Sequence, residues 1–197
     1  MLKKTSISRR KSFILESSVA AKSFNKIKNG ENLRKENYSS RGGHLQFFKI
    51  IDSKTLRWCA NEKNISNLKK CHSYDLSQIK GLVYGKCTST FLKSSREKLE
   101  PWLCMSLIMD SRPFDIFCTE ENINDWYIGL AHAIKKHNPN SYCLSPGRFF
   151  WRKMKILMTY LIQTRMTPEM KKTFKRSLSF TKLILIYKKM KFSDASG

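Results

Sequence analysis

Three consecutive elements are indicated by residues 101–130, PWLCMSLIMDSRPFDIFCTEENINDWYIGL. The apolar residues first alternate, as in two strands joined by a turn, and then recur at helical spacing. In residues 102–109 the side chains alternate between two faces, which is typical of a β-strand. Residues 110–113, DSRP, favour a turn, and residues 114–118 return as a second, antiparallel strand. The apolar residues that follow recur at helical spacing: Ile123, Trp126, Tyr127, Leu130 and Ile134. The stretch predicts a hairpin followed by an amphipathic helix.

The helix has recognisable ends, and strand-like runs precede it. Thr119 can serve as its N-cap, with Glu120 in the first turn, where the helix dipole favours acids, and NPN, residues 138–140, ends it. Upstream, LQFFKIID and KTLRWCA predict a hairpin, YDLSQIKGLVYG predicts a strand with a glycine bend, and STFLKS predicts a short strand. About seven short strands therefore precede one helix.

The positive charge of the chain lies mostly at its two ends. Residues 1–38 carry 10 Lys and Arg against 3 Asp and Glu, and residues 138–197 carry 13 against 2. The middle, residues 39–137, carries 15 against 10. This distribution indicates a folded domain between two cationic flanks, and such flanks attract phospholipid, nucleic acid or an acidic protein.

The ordered series FFKI, KTLRWC, DLSQIKGLVYG, EPWLCMSLIM, RPFDIFC and NDWYIGL resembles the pleckstrin homology domains of certain plant and protist proteins. The resemblance covers residues 26–137 and implies an α+β fold, a seven-stranded, partly open antiparallel barrel capped by a C-terminal helix. It further implies that Trp126 plugs one end of the barrel, where an aromatic side chain buries a large apolar area.

The resemblance also implies a phosphoinositide site, because family members that bind these lipids hold the headgroup near the loop between the first two strands. Arg and Lys supply the hydrogen bonds and charge that phosphates require. If Phe48 and Ile50 face the core, alternation turns Lys49 outward. We predict binding through Lys28, Arg34, Arg41, Lys49 and Arg57. The same five side chains are equally consistent with ordinary solvated charges.

The flanks outside residues 26–137 have different patterns. Residues 1–25 lack a sustained period, and we predict an unstructured basic arm, with a mitochondrial presequence as the alternative. Residues 138–197 predict basic amphipathic helices that suit either an anionic membrane surface or a calmodulin-like groove. Their predicted membrane-surface residues are Arg148, Arg152, Lys155, Lys172, Lys175 and Arg176.

Several other functions lack sequence support. The chain contains no GxSxG, HExxH, P-loop or GxGxxG motif, so we predict no catalytic residue, no cofactor and no metal site. The longest apolar runs are too short for a transmembrane segment. Nucleic-acid binding is supported by the positive charge alone, since no recognition motif accompanies it.

We expect a non-enzymatic adaptor, cytoplasmic and peripheral at the cytosolic face of a membrane, that binds phosphoinositide or other anionic phospholipid headgroups. The alternative is a protein-interaction module of the same fold whose basic helices bind a calmodulin-like or acidic protein.

Overall fold

The computed structural model of this 197-residue chain describes residues 17–38, 42–93 and 97–165. The chain divides into two compact units, Met1–Arg152 and Lys153–Gly197. The first unit contains helix α1, residues 17–27, helix α2, Ile123–His137, and all the strands of the described residues. Helix α3, Pro146–Arg165, begins in the first unit and continues into the second.

Within the described residues, eight strands form one sheet. They are β1 Glu31–Glu36, β2 Gly43–Ile51, β3 Thr55–Cys59, β4 Cys71–Asp75, β5 Gly81–Tyr84, β6 Cys104–Ile108, β7 Phe114–Phe117 and β8 Tyr142–Cys143. Their order across the sheet is β4-β3-β2-β1-β7-β6-β5-β8, and neighbours are antiparallel except β5 and β8. Because β4 and β8 are its edges, the sheet coils without closing.

The predicted fold class is confirmed, since seven antiparallel strands precede a helix that covers one end of an open barrel. The sequence did not predict β8, which holds only two residues. It pairs with β5 in parallel, and the amide of Tyr142 donates to the carbonyl oxygen of Lys80 at 2.8 Å. A two-residue strand has no period from which to predict it.

The core contains a column of aromatic rings that begins at the capped end. Trp126 is fully buried, and its ring centroid lies 6.2 Å from that of Phe48 in an edge-on arrangement. Phe48 in turn lies 6.0 Å from Phe114 and 6.3 Å from Trp58. The indole Nε1 of Trp126 donates a 2.7 Å hydrogen bond to Glu31 at the start of β1. The predicted inward position of Trp126 is confirmed.

The predicted start of α2 is wrong by one turn. The helix begins at Ile123, and the side chain of Asn122 is held outside it. The Oδ1 atom of Asn122 accepts from the amide of Thr119 at 2.9 Å, while its Nδ2 atom donates to Glu31 at 3.0 Å. A contact with a distant strand therefore displaces the cap that the local sequence favours.

The segment STFLKS, residues 89–94, does not form the predicted strand, since its described residues 89–93 lie in turns. Its Phe91 side chain is buried instead. Just before the segment, the hydroxyl of Thr88 donates to the buried carboxylate of Asp115 at 2.7 Å, and Ser106 donates to the same oxygen at 2.6 Å. The buried ring of Phe91 and the hydrogen bonds to Asp115 therefore hold this segment in place, although it does not pair with a strand.

The predicted unstructured arm is wrong over residues 17–25, because they belong to α1. Ala20, Phe24 and Ile27 of this helix are buried. Asp125 of α2 accepts from Ser23 at 2.9 Å and pairs with Lys26 at 2.7 Å. Two polar contacts and a three-residue apolar stripe thus dock α1 on α2.

The C-terminal boundary at residue 137 is also too early. The first unit extends to Arg152. Phe149, at the start of α3, is fully buried, and its ring stacks on Tyr127 at 4.5 Å and meets Tyr84 edge-on at 4.8 Å. Since Tyr84 belongs to β5 and Tyr127 to α2, the first turn of α3 is part of the core.

Candidate functional site

A cationic cavity lies where β1 ends and β7 begins. Its volume is about 190 Å³, and Lys35, Tyr38, Arg112 and Phe114 are among the residues that line it. Lys35 is near the end of β1, whereas Arg112 lies in the connection between β6 and β7. We call this group the Lys35–Arg112 site.

Strand alternation brings Lys35 into this site. Lys35 shares a strand face with Leu33, which is buried in the core, and at the end of β1 that face opens toward solvent. The Nζ atom of Lys35 lies 5.4 Å from the ring centroid of Phe114 and 6.0 Å from that of Trp58. Cation–π attraction therefore holds the ammonium group at the end of the aromatic column.

The electrostatics of the site favour an anion. Burial lowers the pKa of Lys35, and the nearby charge of Arg112 lowers it further. Burial raises the pKa of Tyr74, while Arg112 opposes that rise. The charge of Arg112 thus disfavours the charged form of Lys35, and an anion placed between the two side chains would relieve that repulsion.

A third cation lies at the rim. The Nζ atom of Lys93 lies 4.3 Å above the ring of Tyr38 and donates to the carbonyl oxygen of the same residue. Tyr38 lines the cavity, so it links Lys93 to the Lys35–Arg112 site. The carboxylate that lines the cavity, Glu36, is buried and forms a 2.6 Å ion pair with Arg34.

The residues predicted from the sequence occupy other positions. Lys49 and Arg57 are direct partners on β2 and β3, and the Nη1 atom of Arg57 donates to the carbonyl oxygen of Ile65 at 3.0 Å. Lys28 lies over the ring of Phe24 at 4.7 Å, near the opposite end of β1 from the cavity. The structure brings Lys49 and Arg57 together, but on a strand face away from the core. Arg34 pairs with Glu36, and Arg41 lies outside the described residues.

Two residues of the site were missed by the sequence reasoning. Lys35 lies two residues after the buried Leu33 and therefore on the same strand face, whereas Arg34 lies on the other face. This alternation is a signal in the sequence that could have identified Lys35. Arg112 was recognised within the turn DSRP but not as a ligand. Its proximity to Lys35 depends on the pairing of β1 with β7, a contact between strands distant in sequence.

The predicted membrane-surface residues are only partly described. Arg148 and Arg152 line a separate cavity of about 490 Å³ beside β5 and β8. Lys155 is exposed on α3, whereas Lys172, Lys175 and Arg176 lie outside the described residues. No helix of the described part of the chain is both long and apolar enough to cross a membrane. Residues 17–38, 42–93 and 97–165 also contain no group of three His, Cys, Asp or Glu side chains suited to a metal ion.

The strand order, the open barrel and the capping helix agree with the pleckstrin homology fold expected from the sequence, and the cationic cavity is the candidate ligand site. The chain matches no protein-family model and no curated protein. Among solved structures, it resembles the inner membrane complex sub-compartment protein 3 of Toxoplasma gondii, with 14% identity and a TM-score of 0.41 over 61% of this chain and 86% of the other.

Two further structures are similar to the chain. The N-terminal pleckstrin homology domain of human ARAP2 shares 19% identity at a TM-score of 0.42, over 59% of this chain and 86% of that domain. PLC21 of S. officinalis shares 12% identity at a TM-score of 0.41, over 54% of this chain. The match spans only 15% of the PLC21 chain.

Proposed function

We propose that the protein is a non-enzymatic, peripheral membrane adaptor that binds a phosphoinositide headgroup at the Lys35–Arg112 site. The observation that carries this proposal is the juxtaposition of two cations around a cavity of about 190 Å³. The charge of Arg112 lowers the pKa of Lys35, so the two groups interact electrostatically. The cytosolic face of a membrane is where such a headgroup is presented.

Each residue of the site has a distinct part in this proposal. Arg112 offers a planar guanidinium that can donate two parallel hydrogen bonds to one phosphate, and Lys35 adds a point charge. A bound phosphate stabilises the ammonium form of Lys35 and thereby raises its lowered pKa. Arg41 belongs to the same β1–β2 connection as Tyr38, so its predicted contact with the headgroup remains compatible with this site.

The basic C-terminal segment adds attraction of a different kind. Each Lys or Arg held near an anionic bilayer contributes about 1 kcal/mol without selecting a headgroup. Arg148, Arg152 and Lys155 on α3 remain predicted for this role, together with Lys172, Lys175 and Arg176. In the proposal, the cavity supplies selectivity and the basic segment supplies general affinity.

The alternative of a calmodulin-like partner is less well supported. Such partners bind the apolar face of an amphipathic helix in a groove. On α3, however, Leu157, Met158 and Leu161 are already buried. A groove-binding partner would first have to expose them, so we favour the lipid.

Cosedimentation of the full chain with vesicles tests the proposed function. We expect tighter binding to phosphoinositide vesicles than to phosphatidylserine vesicles of the same surface charge. The preference should persist at high salt, because screening shortens from about 8 Å to about 3 Å between physiological and 1 M salt and weakens diffuse attraction first. Equal binding to the two vesicle types at every salt concentration would contradict a headgroup site.

A further inference from the structure

A second exposed surface combines aromatic and cationic side chains beside the edge of the sheet. Tyr142 of β8 is 66% exposed and Trp151 of α3 is 54% exposed. Together with Arg148 and Arg152 they line the cavity of about 490 Å³. We call these four residues the aromatic–arginine surface; it shares no residue with the Lys35–Arg112 site.

The core of the first unit holds this surface in place. Arg148, Trp151 and Arg152 are spaced i, i+3 and i+4, so they lie on one side of α3. The neighbouring Phe149 fixes the rotation of the helix, because its ring is buried between Tyr84 and Tyr127. Tyr142 is held by the pairing of β8 with β5. The surface is thus part of a packed unit.

The chemistry of the surface fits a lipid–water interface. Tryptophan and tyrosine prefer this interface, since one part of each ring is apolar and another can donate a hydrogen bond. Arginine binds lipid phosphates and can extend toward them along its apolar stem. The sequence Pro146–Arg165 contains no Asp or Glu, so nothing on α3 itself opposes an anionic partner.

We propose that the aromatic–arginine surface docks on the anionic surface of a lipid bilayer, with Tyr142 and Trp151 entering the headgroup region and the two arginines contacting phosphates. This contact rests on the role proposed above for Arg148 and Arg152 and adds Tyr142 and Trp151 to it; it needs no phosphoinositide and does not depend on the Lys35–Arg112 site. A bilayer is favoured over a nucleic acid because α3 also exposes Phe150, at 42%, and this bulky apolar ring suits lipid. Nucleic-acid surfaces instead combine stacking rings with a charged groove that follows the backbone.

Tryptophan fluorescence tests this proposal on the full chain. All four tryptophans lie in the described residues, and Trp58, Trp102 and Trp126 are buried, so Trp151 is the exposed one. The probe is a phosphatidylserine-containing vesicle whose acyl chains carry bromine near the headgroup, with no phosphoinositide present. We expect the bromine to quench the emission of the wild-type protein, and we expect Trp151→Phe to remove the quenched component while the protein still sediments with vesicles.

A charge-matched pair of variants measures the part played by the arginines. Arg148→Ala with Arg152→Ala should weaken vesicle binding about thirtyfold, as expected for two basic residues near an anionic surface. Lys63→Ala with Lys69→Ala removes the same charge beside the opposite edge strand, β4, and should weaken it much less.

The proposal would be overturned by sedimentation of the wild-type protein without quenching, by equal weakening by both pairs of variants, or by no binding to these vesicles. Quenching that persists in Trp151→Phe would also overturn it, because a buried tryptophan would then be the one that meets lipid. Since the vesicles lack phosphoinositide, failure of the Lys35–Arg112 site leaves every one of these outcomes unchanged.

Discussion

Replacing Trp126 by alanine is expected to lower the free energy of unfolding by about 3–5 kcal/mol, the range observed for large aromatic side chains removed from a core. Trp126 is fully buried, and its ring packs on Phe48 at the start of the aromatic column. The variant would leave a cavity at the capped end of the barrel and would free the Glu31 carboxylate from its 2.7 Å hydrogen bond. Urea unfolding followed by circular dichroism measures the loss.

The matched control for this variant is Trp151→Ala. Because Trp151 is 54% exposed, its removal should change stability by no more than about 0.5 kcal/mol, as is usual for surface substitutions. A Trp126→Ala protein that unfolds at the wild-type urea concentration would show that α2 does not close the barrel.

The second large effect is expected from Lys35→Ala combined with Arg112→Ala. This pair should weaken binding to phosphoinositide vesicles about a hundredfold, because two charge-assisted hydrogen bonds contribute about 3 kcal/mol together at the low end of their range. Binding to phosphatidylserine vesicles should fall far less, since the basic residues of α3 remain. Cosedimentation with both vesicle types provides the comparison.

Two controls locate the effect. Lys22→Ala with Lys136→Ala removes the same charge from exposed positions on α1 and α2, and should reduce both kinds of binding slightly and equally. Lys49→Ala tests the site predicted from the sequence. If Lys49→Ala alone abolishes the phosphoinositide preference while the Lys35 and Arg112 pair retains it, the headgroup binds on the outer face of β2 and β3.

The sequence predicted those parts of the fold that depend on a local period. The hairpin β6–β7, the stripe of α2 and the inward position of Trp126 follow from alternation and helical spacing within a few residues. The start of α2 was missed because Asn122 contacts Glu31, a residue on a strand far away in sequence. Helix α1 was missed because three apolar residues in a Ser-rich segment gain their burial from α2.

The candidate site was less predictable than the fold. Its two central cations come from β1 and from the β6–β7 connection, and the pairing of β1 with β7 brings them together. From residue type alone, Arg34 is a better candidate phosphate ligand than Lys35, because a guanidinium can donate two parallel hydrogen bonds to one phosphate. However, the ion pair of Arg34 with buried Glu36 occupies that side chain. Strand alternation separates Lys35 from Arg34, but the pairing of Arg34 with Glu36 is evident only from the three-dimensional arrangement.

The most direct test of the headgroup site is a titration of the isotope-labelled full chain with a soluble inositol polyphosphate, followed by backbone and lysine NMR signals. We predict saturable shifts at Lys35, Tyr38, Arg112 and Phe114, together with a rise in the pKa of Lys35, which burial and Arg112 hold below its usual value. Saturable shifts confined to Lys49 and Arg57, or a titration that leaves the signals of Lys35 and Arg112 unchanged, would contradict the proposed site.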